Sequence, residues 1–300
     1  MAEQYTVTIE SVDYEGKGIA RIEGKTVFVY GALAGEEVLI EIVKRKPSFD
    51  KAKLVEIIQA SPKRVTPECP NYGVCGGCSM QHVSFDEQIR IKQQVLTDNL
   101  QHLGNVVAEE IMSPLAGVPW GYRHRARLSA RYVAKKGGAL VGFREKGAPY
   151  VLDMHECLIL PPHVSALITP LRELVSAVSI RDKIPQIEVA VGTQVTILVI
   201  RNMEALNPED EQLIRQFIEQ YSSLENPLQI WLQPKGPETC YPFYPVDAPK
   251  LSYTIQRFSL DMPYNPSEFT QVNPYINEEM LALSMELLAP QTHEVIADFF

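Results

Sequence analysis

Three cysteines lie close together in the first third of the chain and have the spacing expected of metal ligands. Cys69, Cys75 and Cys78 fall within the ten residues CPNYGVCGGC, as C-x5-C-x2-C. In a reducing compartment, clustered thiols more often bind metal than form disulfides, and thiolates bind both zinc and iron–sulfur clusters. The spacing therefore indicates a metal site that needs a fourth ligand, for which Cys157 and Cys240 are the candidates.

The glycines of this loop favour an iron–sulfur cluster over zinc. Structural zinc sites commonly use two C-x2-C pairs, and this loop has one. Gly73, Gly76 and Gly77 allow the backbone to approach and to turn its N–H groups toward sulfur. A structural zinc site stays open as an alternative, as does a set of free cysteines that pack as small hydrophobic side chains.

A second group of candidates is basic and falls in GYRHRARLSARY. Alternate residues of a strand share a face, so arginines at this spacing predict one cationic surface flanked by Tyr122 and Tyr132. Such a surface suits an RNA backbone with stacked bases, and the alternative is a set of salt bridges to the acidic last third of the chain. The candidate RNA-binding residues are Arg123, Arg125, Arg127 and Arg131.

Composition limits the class of protein. The 300 residues carry a net charge of −9, which argues against a nucleic-acid coat over the whole surface. Local basic runs at 44–53 and 123–146 can still follow phosphates, or can be solvated faces. The opening MAEQYTVTIE has no signal-peptide pattern, no apolar run is long enough for a membrane helix, and the cysteine count of five is odd. We therefore expect a cytoplasmic protein without a membrane partner.

Hydrophobic periodicity predicts two kinds of element around these candidates. Residues 5–60 contain five short strands with glycine turns, which favour a small closed barrel of the OB type. Residues 120–264 contain mostly strands, with helices over 162–178 and 207–224, and predict an antiparallel α+β module. A further amphipathic helix is predicted over 84–104, where Ser84 and Glu87 or Gln88 supply capping groups.

The pattern of the last 32 residues predicts a different type of fold from the rest of the chain. A helix over 269–288 and the apolar run HEVIADFF predict the start of a doubly wound parallel sheet. An interior parallel strand needs neighbours on both sides, so we expect a chain that is cut at this point. We also expect the segment 292–300 to be poorly packed.

Several motifs together resemble one family. They are VDYEGKGIARIEGKTVFVYGALAGE, CPNYGVCGGCSMQH, GYRHRARLSARY, VGFREKG, HECLIL and FTQVNP, and they extend over nearly the whole chain. The chain is similar to the bacterial 23S ribosomal RNA uracil-5-methyltransferases of the iron–sulfur subfamily. The resemblance implies a multidomain α+β protein with an α/β start. Its parts would be an RNA-binding TRAM barrel over 1–62, a central 4Fe–4S domain over 63–86 and 119–268, and an incomplete S-adenosylmethionine-dependent methyltransferase domain over 87–118 and 269–300.

The resemblance also implies site residues. The ligands of a 4Fe–4S cluster would be Cys69, Cys75, Cys78 and Cys157, while Cys240 matches no ligand. Gln271 and Phe300 match positions that contact S-adenosylmethionine, with helix capping as the alternative for Gln271 and core packing for Phe300. Phe269 and Asn273 lie beside them and would help to hold the uracil, although core packing is the alternative for Phe269.

The reaction that the resemblance implies is methylation of C5 of a uridine in 23S ribosomal RNA. A thiolate adds to C6, C5 attacks the methyl group, and a base removes the C5 proton. The family's nucleophilic cysteine, its glutamate base and its glycine-rich cofactor loop match nothing in these 300 residues, so we expect no catalytic residue here and no activity of the chain by itself. We expect a monomer that binds ribosomal RNA, and the alternative functions are a non-catalytic RNA-binding iron–sulfur module and a structural zinc protein.

Overall fold

The computed structural model describes residues 3–297 and 299, and the chain divides into two compact units, Met1–Pro114 and Leu115–Phe300. The first unit begins with a six-stranded sheet in the order β1-β5-β6-β4-β3-β2. Its strands are β1 (Gln4–Thr8), β2 (Ser11–Val12), β3 (Lys17–Ile22), β4 (Lys25–Tyr30), β5 (Glu37–Arg45) and β6 (Phe49–Gln59). The division differs from the three domains implied by the resemblance, which stay a prediction.

The chain segment that contains β1 and β2 closes this sheet into a barrel. β1 pairs antiparallel with β5, and beyond it the Ile9 N–H donates to the Glu36 carbonyl. The Glu10 N–H then donates to the Ile19 carbonyl, and β2 pairs with β3. One bent segment thus joins both edges of the sheet. The core inside it comes from alternate residues, such as Val27 and Val29 of β4, as the period of two predicts.

Residues 80–95 of the first unit pack against the barrel. The helix α1 (Phe85–His102) starts one residue later than Ser84, whose side chain makes no capping bond. Gln88 instead donates to the Val83 carbonyl, so the expected capping box does not form. Val83 and Ile91 share a buried cluster with barrel residue Leu33. This cluster joins α1 and the cysteine segment to the barrel.

The second unit is built on a six-stranded sheet in the order β12-β11-β10-β9-β7-β8. Its strands are β7 (Arg125–Val133), β8 (Gly138–Gly142), β9 (Gln186–Val191), β10 (Thr196–Ile200), β11 (Leu228–Leu232) and β12 (Tyr241–Tyr244). Helices α2 (Pro162–Ser165) and α3 (Ile168–Ala177) replace the single helix predicted over 162–178, and α4 (Pro208–Tyr221) follows β10. The purely antiparallel prediction is wrong, because β10 and β11 are parallel and α4 forms their crossover.

A hairpin and a helix complete the second unit. The hairpin consists of β13 (Ser252–Ile255) and β14 (Leu260–Pro263), and the helix is α5 (Pro274–Leu288). After α5 the described residues form no strand, so the prediction of a first parallel strand in HEVIADFF is wrong for this part. Val295 is 96% exposed and Phe299 92%, which agrees with the expected poor packing of this segment. No helix within the described residues is long and apolar enough to cross a membrane.

Candidate RNA-binding and cofactor site

A cleft of about 180 Å³ lies wholly within the second unit. One wall comes from the residues before β7 and after β9, another from the hairpin β13–β14, and a third from the first turn of α5. The side chains that matter for its chemistry are His124, Arg125, Thr193, Tyr253, Thr254, Tyr264, Gln271, Tyr275 and Glu278. Gln271 and Arg125 are the two sequence-predicted site residues that the structure brings to this cleft.

His124 is fixed in the wall of the cleft by its backbone. Its N–H donates to the Val272 carbonyl at 2.8 Å, and its carbonyl accepts from the Val191 N–H at 2.9 Å. The Tyr275 ring meets the imidazole edge-on, with ring centroids 5.8 Å apart. Burial, with His163 nearby, lowers the pKa of His124 to about 4. The imidazole is therefore neutral at pH 7, with one nitrogen as donor and the other as acceptor.

Arg125 connects β7 to the segment before α5. Its Nη2 donates to the carbonyls of Pro266 and Glu268, at 2.6 and 3.0 Å. Its guanidinium lies 5.6 Å from the centroid of the Tyr264 ring. Its Nη1 is buried and has no hydrogen-bond partner among the residues described. The Arg125 side chain also hydrogen-bonds to the Tyr264 side chain, so the protein itself holds most of the guanidinium.

Hydroxyl groups and a carboxylate form the remaining polar wall. The hydroxyls of Thr193 and Thr254 lie 3.2 Å apart, and Thr254 also donates to Asp261. Glu278 of α5 accepts the backbone N–H of Arg257 at 2.8 Å. This side of the cleft therefore presents hydroxyls and negative charge rather than a group of free cations.

The N-terminus of α5 resolves the alternative roles of the FTQVN motif. Asn273 is the N-cap, because its side-chain oxygen accepts the Ile276 N–H at 3.2 Å. Gln271 is exposed and takes no part in this cap, so the capping alternative for Gln271 is wrong. Phe269 is 83% exposed, which excludes the core-packing alternative for that ring. Phe300 lies outside the described residues, and its role as a cofactor contact stays a prediction.

The predicted arginine face is formed by β7, but its members differ in their environment. Arg127 and Arg131 are exposed, and Arg127 pairs with Glu188 of β9 at 3.0 Å. Arg123 lies before the strand, with its guanidinium 6.0 Å from the Phe143 ring centroid. Arg125 is held by carbonyls, as described. The salt bridge of Arg127 goes to the neighbouring strand, not to the acidic last third of the chain, and RNA binding by these residues stays a prediction.

The cysteine loop belongs to the first unit. The N–H of buried Cys75 donates to the Asn71 carbonyl at 2.9 Å, and its sulfur accepts the Gly77 N–H at 3.4 Å, as expected from the glycines. Burial raises the pKa of the Cys75 thiol. Within residues 3–297 and 299, no three His, Cys, Asp or Glu side chains are grouped so that they could hold a metal ion. The ligand set Cys69, Cys75, Cys78 and Cys157 stays a prediction.

The other two cysteines lie in the second unit. Cys157 is buried, and its N–H donates to the Ser165 hydroxyl at 2.8 Å. Cys240 packs beside a core cluster that includes Leu251, and burial, with Glu188 nearby, raises the pKa of Cys240 to about 11. A thiol with that pKa is protonated at neutral pH and is a weak nucleophile.

Comparison with known proteins shows which family this chain is similar to. Residues 2–55 match the TRAM domain family. Over nearly its whole length the chain is similar to proteins named 23S rRNA (uracil(1939)-C(5))-methyltransferase RlmD. That of Cupriavidus necator is 51% identical over 300 residues, which cover 98% of this chain and 67% of the relative. This chain belongs to the 23S rRNA uracil-C5 methyltransferase family. It is also 53% identical to the Chromobacterium violaceum protein and 51% to that of Nitrosospira multiformis, and covers 58% and 66% of their lengths.

A solved structure supports the fold. The Pyrococcus abyssi tRNA (uracil-54, C5)-methyltransferase, in complex with S-adenosyl-L-homocysteine, superposes with a TM-score of 0.65 at 19% identity. The match covers 94% of this chain and 65% of that one. At this identity the likeness concerns the fold alone, and it agrees with a sheet-rich α+β chain.

The sequence analysis did not identify the aromatic residues that line the cleft. Tyr253, Tyr264 and Tyr275 lie in three separate segments without a common motif.

Proposed function

We propose that the protein methylates C5 of a uridine in 23S ribosomal RNA and uses S-adenosylmethionine as methyl donor. The observation that carries this proposal is the identity of about half of all residues with relatives of that name, over nearly the whole chain. The relatives' name specifies uracil 1939, and we extend that substrate to this protein. Action as a monomer in the cytoplasm remains a prediction.

The described residues support a role in holding the RNA. The N-terminal barrel matches a TRAM domain, and such small barrels are common nucleic-acid platforms. β7 presents the exposed Arg127 and Arg131. Phosphate contacts of this kind position the RNA without reading its sequence. Neutral His124 and the exposed Gln271 lie at the cleft nearby, where an RNA base or part of a cofactor finds hydrogen-bond partners.

The chemistry needs a thiolate that adds to C6 of the uracil, and S-adenosylmethionine supplies the methyl group when it is bound. Among the described cysteines, Cys75 and Cys240 have pKa values raised by burial, the opposite of what a nucleophile needs. Neither of these two thiols suits the role, which supports the further proposal that the 300 residues by themselves bind RNA and transfer no methyl group. An iron–sulfur cluster on Cys69, Cys75, Cys78 and Cys157 stays a separate prediction, and no step of this proposal depends on it.

The test measures transfer of a tritiated methyl group from S-adenosylmethionine to a 23S rRNA fragment that contains the uridine. It compares this chain with a chimera that adds the parts of the Chromobacterium violaceum relative outside the aligned 297 residues. We expect transfer by the chimera only, and none to a fragment with cytidine in place of the uridine. A chimera that folds and binds the fragment but transfers no methyl group refutes the proposed activity.

Turnover by the 300-residue chain would contradict the second part of the proposal. Cys240→Ser then decides the role of that thiol, because loss of turnover in this variant would identify Cys240 as the nucleophile despite its raised pKa. Turnover that survives Cys240→Ser would place the nucleophile elsewhere in the chain.

A further inference from the structure

The turn that precedes the FTQVN motif is held in place by Arg125, a residue far from it in sequence. The Arg125 Nη2 donates to the carbonyls of Pro266 and Glu268, at 2.6 and 3.0 Å. The turn also has bonds of its own, because the backbone N–H and the side-chain amide of Asn265 donate to the Glu268 carboxylate at 2.8 and 3.3 Å. The guanidinium therefore holds a closed turn by its backbone.

A second set of contacts connects Arg125 to the motif itself. The Arg125 side chain hydrogen-bonds to the Tyr264 side chain, and its guanidinium lies 5.6 Å from the centroid of that ring. The same Tyr264 side chain hydrogen-bonds to Thr270. Thr270 lies between Phe269 and Gln271, which are both exposed. One tyrosine thus links the guanidinium to the middle of the motif.

The other end of the motif is fixed by the residue next to Arg125. The His124 N–H donates to the Val272 carbonyl at 2.8 Å, and Asn273 then caps α5. Two consecutive residues at the start of β7 therefore anchor both ends of the segment 264–272, while its middle faces solvent.

The terminal nitrogens of Arg125 are not available to a phosphate. Nη2 is bonded to two carbonyls, and Nη1 is buried. Arg127 differs, although it lies on the same face of β7, because its side chain is 68% exposed. Since a phosphate contact needs a donor that reaches the RNA backbone, the two arginines suit different roles.

From this geometry we propose that Arg125 is a positioning residue, which holds the segment 264–272 so that the exposed side chains of the motif keep the arrangement that methyl transfer needs. The inference rests on the proposed function, in which Phe269 helps to hold the uracil and Gln271 contacts S-adenosylmethionine. Orientation of this kind contributes to rate, and a misplacement of about 1 Å costs about a hundredfold. Lysine does not replace the guanidinium here, because one ammonium lacks the planar fork that bridges two carbonyls and lies on a ring.

Hydrogen exchange followed by mass spectrometry tests the anchor in the 300-residue chain. The peptide 264–272 contains hydrogen-bonded N–H groups at 264, 265 and 268. In Arg125→Lys these groups are expected to exchange about tenfold faster or more, while those of β9 and β10 keep their wild-type rates. Thr270→Val removes only the hydroxyl that hydrogen-bonds to Tyr264, and it should give a smaller increase confined to the same peptide. Arg127→Lys, the same substitution on the same strand, is the matched control and should change neither region.

RNA binding separates this role from a phosphate contact. Arg125→Gln should leave the affinity of the chain for the 23S rRNA fragment, and the salt dependence of that affinity, unchanged. Arg127→Gln should weaken binding and lower the salt slope by about one.

Kinetics of the chimera test the effect on the reaction. Arg125→Lys should lower kcat by about tenfold or more and leave the KM for the RNA unchanged, because the lost interaction orients the reacting groups and does not bind the RNA. Arg127→Lys should keep kcat.

The outcomes separate the positioning role from the proposed function. Unchanged exchange of the peptide 264–272 with a lower salt slope in Arg125→Gln shows a phosphate contact and overturns the positioning role. Faster exchange throughout the second unit shows a residue needed for general stability, which also overturns it. Turnover of the chimera with an unchanged kcat in Arg125→Lys overturns the positioning role alone. A wild-type chimera that binds the RNA without turnover refutes the proposed function, and the positioning role with it.

Discussion

His124 lies just before β7, in the wall of the cleft, where burial lowers its pKa to about 4. The unfolded chain binds a proton at the ordinary pKa of 6.5, so between pH 6.5 and 4 the unfolded state holds more protons than the folded one. Stability is then lost as the pH falls through this window. His163, whose pKa is also lowered by burial, acts in the same direction.

We predict that His124→Gln loses less stability than wild type between pH 7 and pH 4.5. The difference should be on the order of 2 kcal/mol, after allowance for the partial exposure of the ring. Urea unfolding followed by tryptophan fluorescence measures it, because Trp120 and Trp231 both lie in the second unit. His155→Gln, at an exposed position in the same unit, is the control. Identical acid losses in His124→Gln and wild type would contradict a neutral buried His124.

Among the elements, β7 and α5 show what the sequence could and could not predict. Residue alternation in GYRHRARLSARY predicted a strand with an arginine face, which β7 forms. The helix predicted over 269–288 ends at Leu288 as expected but begins later, at Pro274, because the residues before it form the N-cap. The parallel pairing of β10 and β11 was missed, because side-chain periodicity does not encode strand direction. The cleft was also missed, since its walls come from segments far apart in sequence whose meeting depends on the whole sheet.

The cap of α5 gives a prediction at this scale. Asn273→Ala removes the acceptor of the Ile276 N–H and should lower the free energy of unfolding of the second unit by about 1 kcal/mol. Asn207→Ala, which removes the matching cap of α4 at 2.8 Å from the Asp210 nitrogen, should cost a similar amount. Gln271→Ala is the control and should be close to neutral. A larger loss for Gln271→Ala than for Asn273→Ala, measured by the same tryptophan fluorescence, would mean that the cap is assigned to the wrong residue.

At the scale of the whole molecule, the first unit is larger than the barrel, because residues beyond β1–β6 complete it. Glu36 is fully buried, and Arg64, beyond the barrel strands, donates to both of its carboxylate oxygens at 2.6 and 2.7 Å. Burial acts to raise the pKa of Glu36, but hydrogen bonds from Arg64 and from the N–H groups of Leu33 and Ser61 more than offset it, so the pKa lies below its ordinary value. The carboxylate is therefore charged inside the protein and depends on a partner outside β1–β6.

This dependence predicts how fragments of the first unit behave. A fragment of residues 1–62 keeps all six strands but loses Arg64 and the cover that Met80, Val83 and Ile91 give to Val12 and Leu33. Residues 1–114 keep both. We expect the shorter fragment to be less stable by several kcal/mol, because it lacks the charge partner and part of the apolar cover. Urea unfolding followed by circular dichroism measures the difference.

Point variants of the longer fragment separate the two contributions. Arg64→Met should reproduce part of the loss of stability, and Arg90→Met, at an exposed ion pair on α1, should not. Equal stability of the two fragments would show that the barrel is complete at residue 62 and that the buried ion pair adds nothing to it.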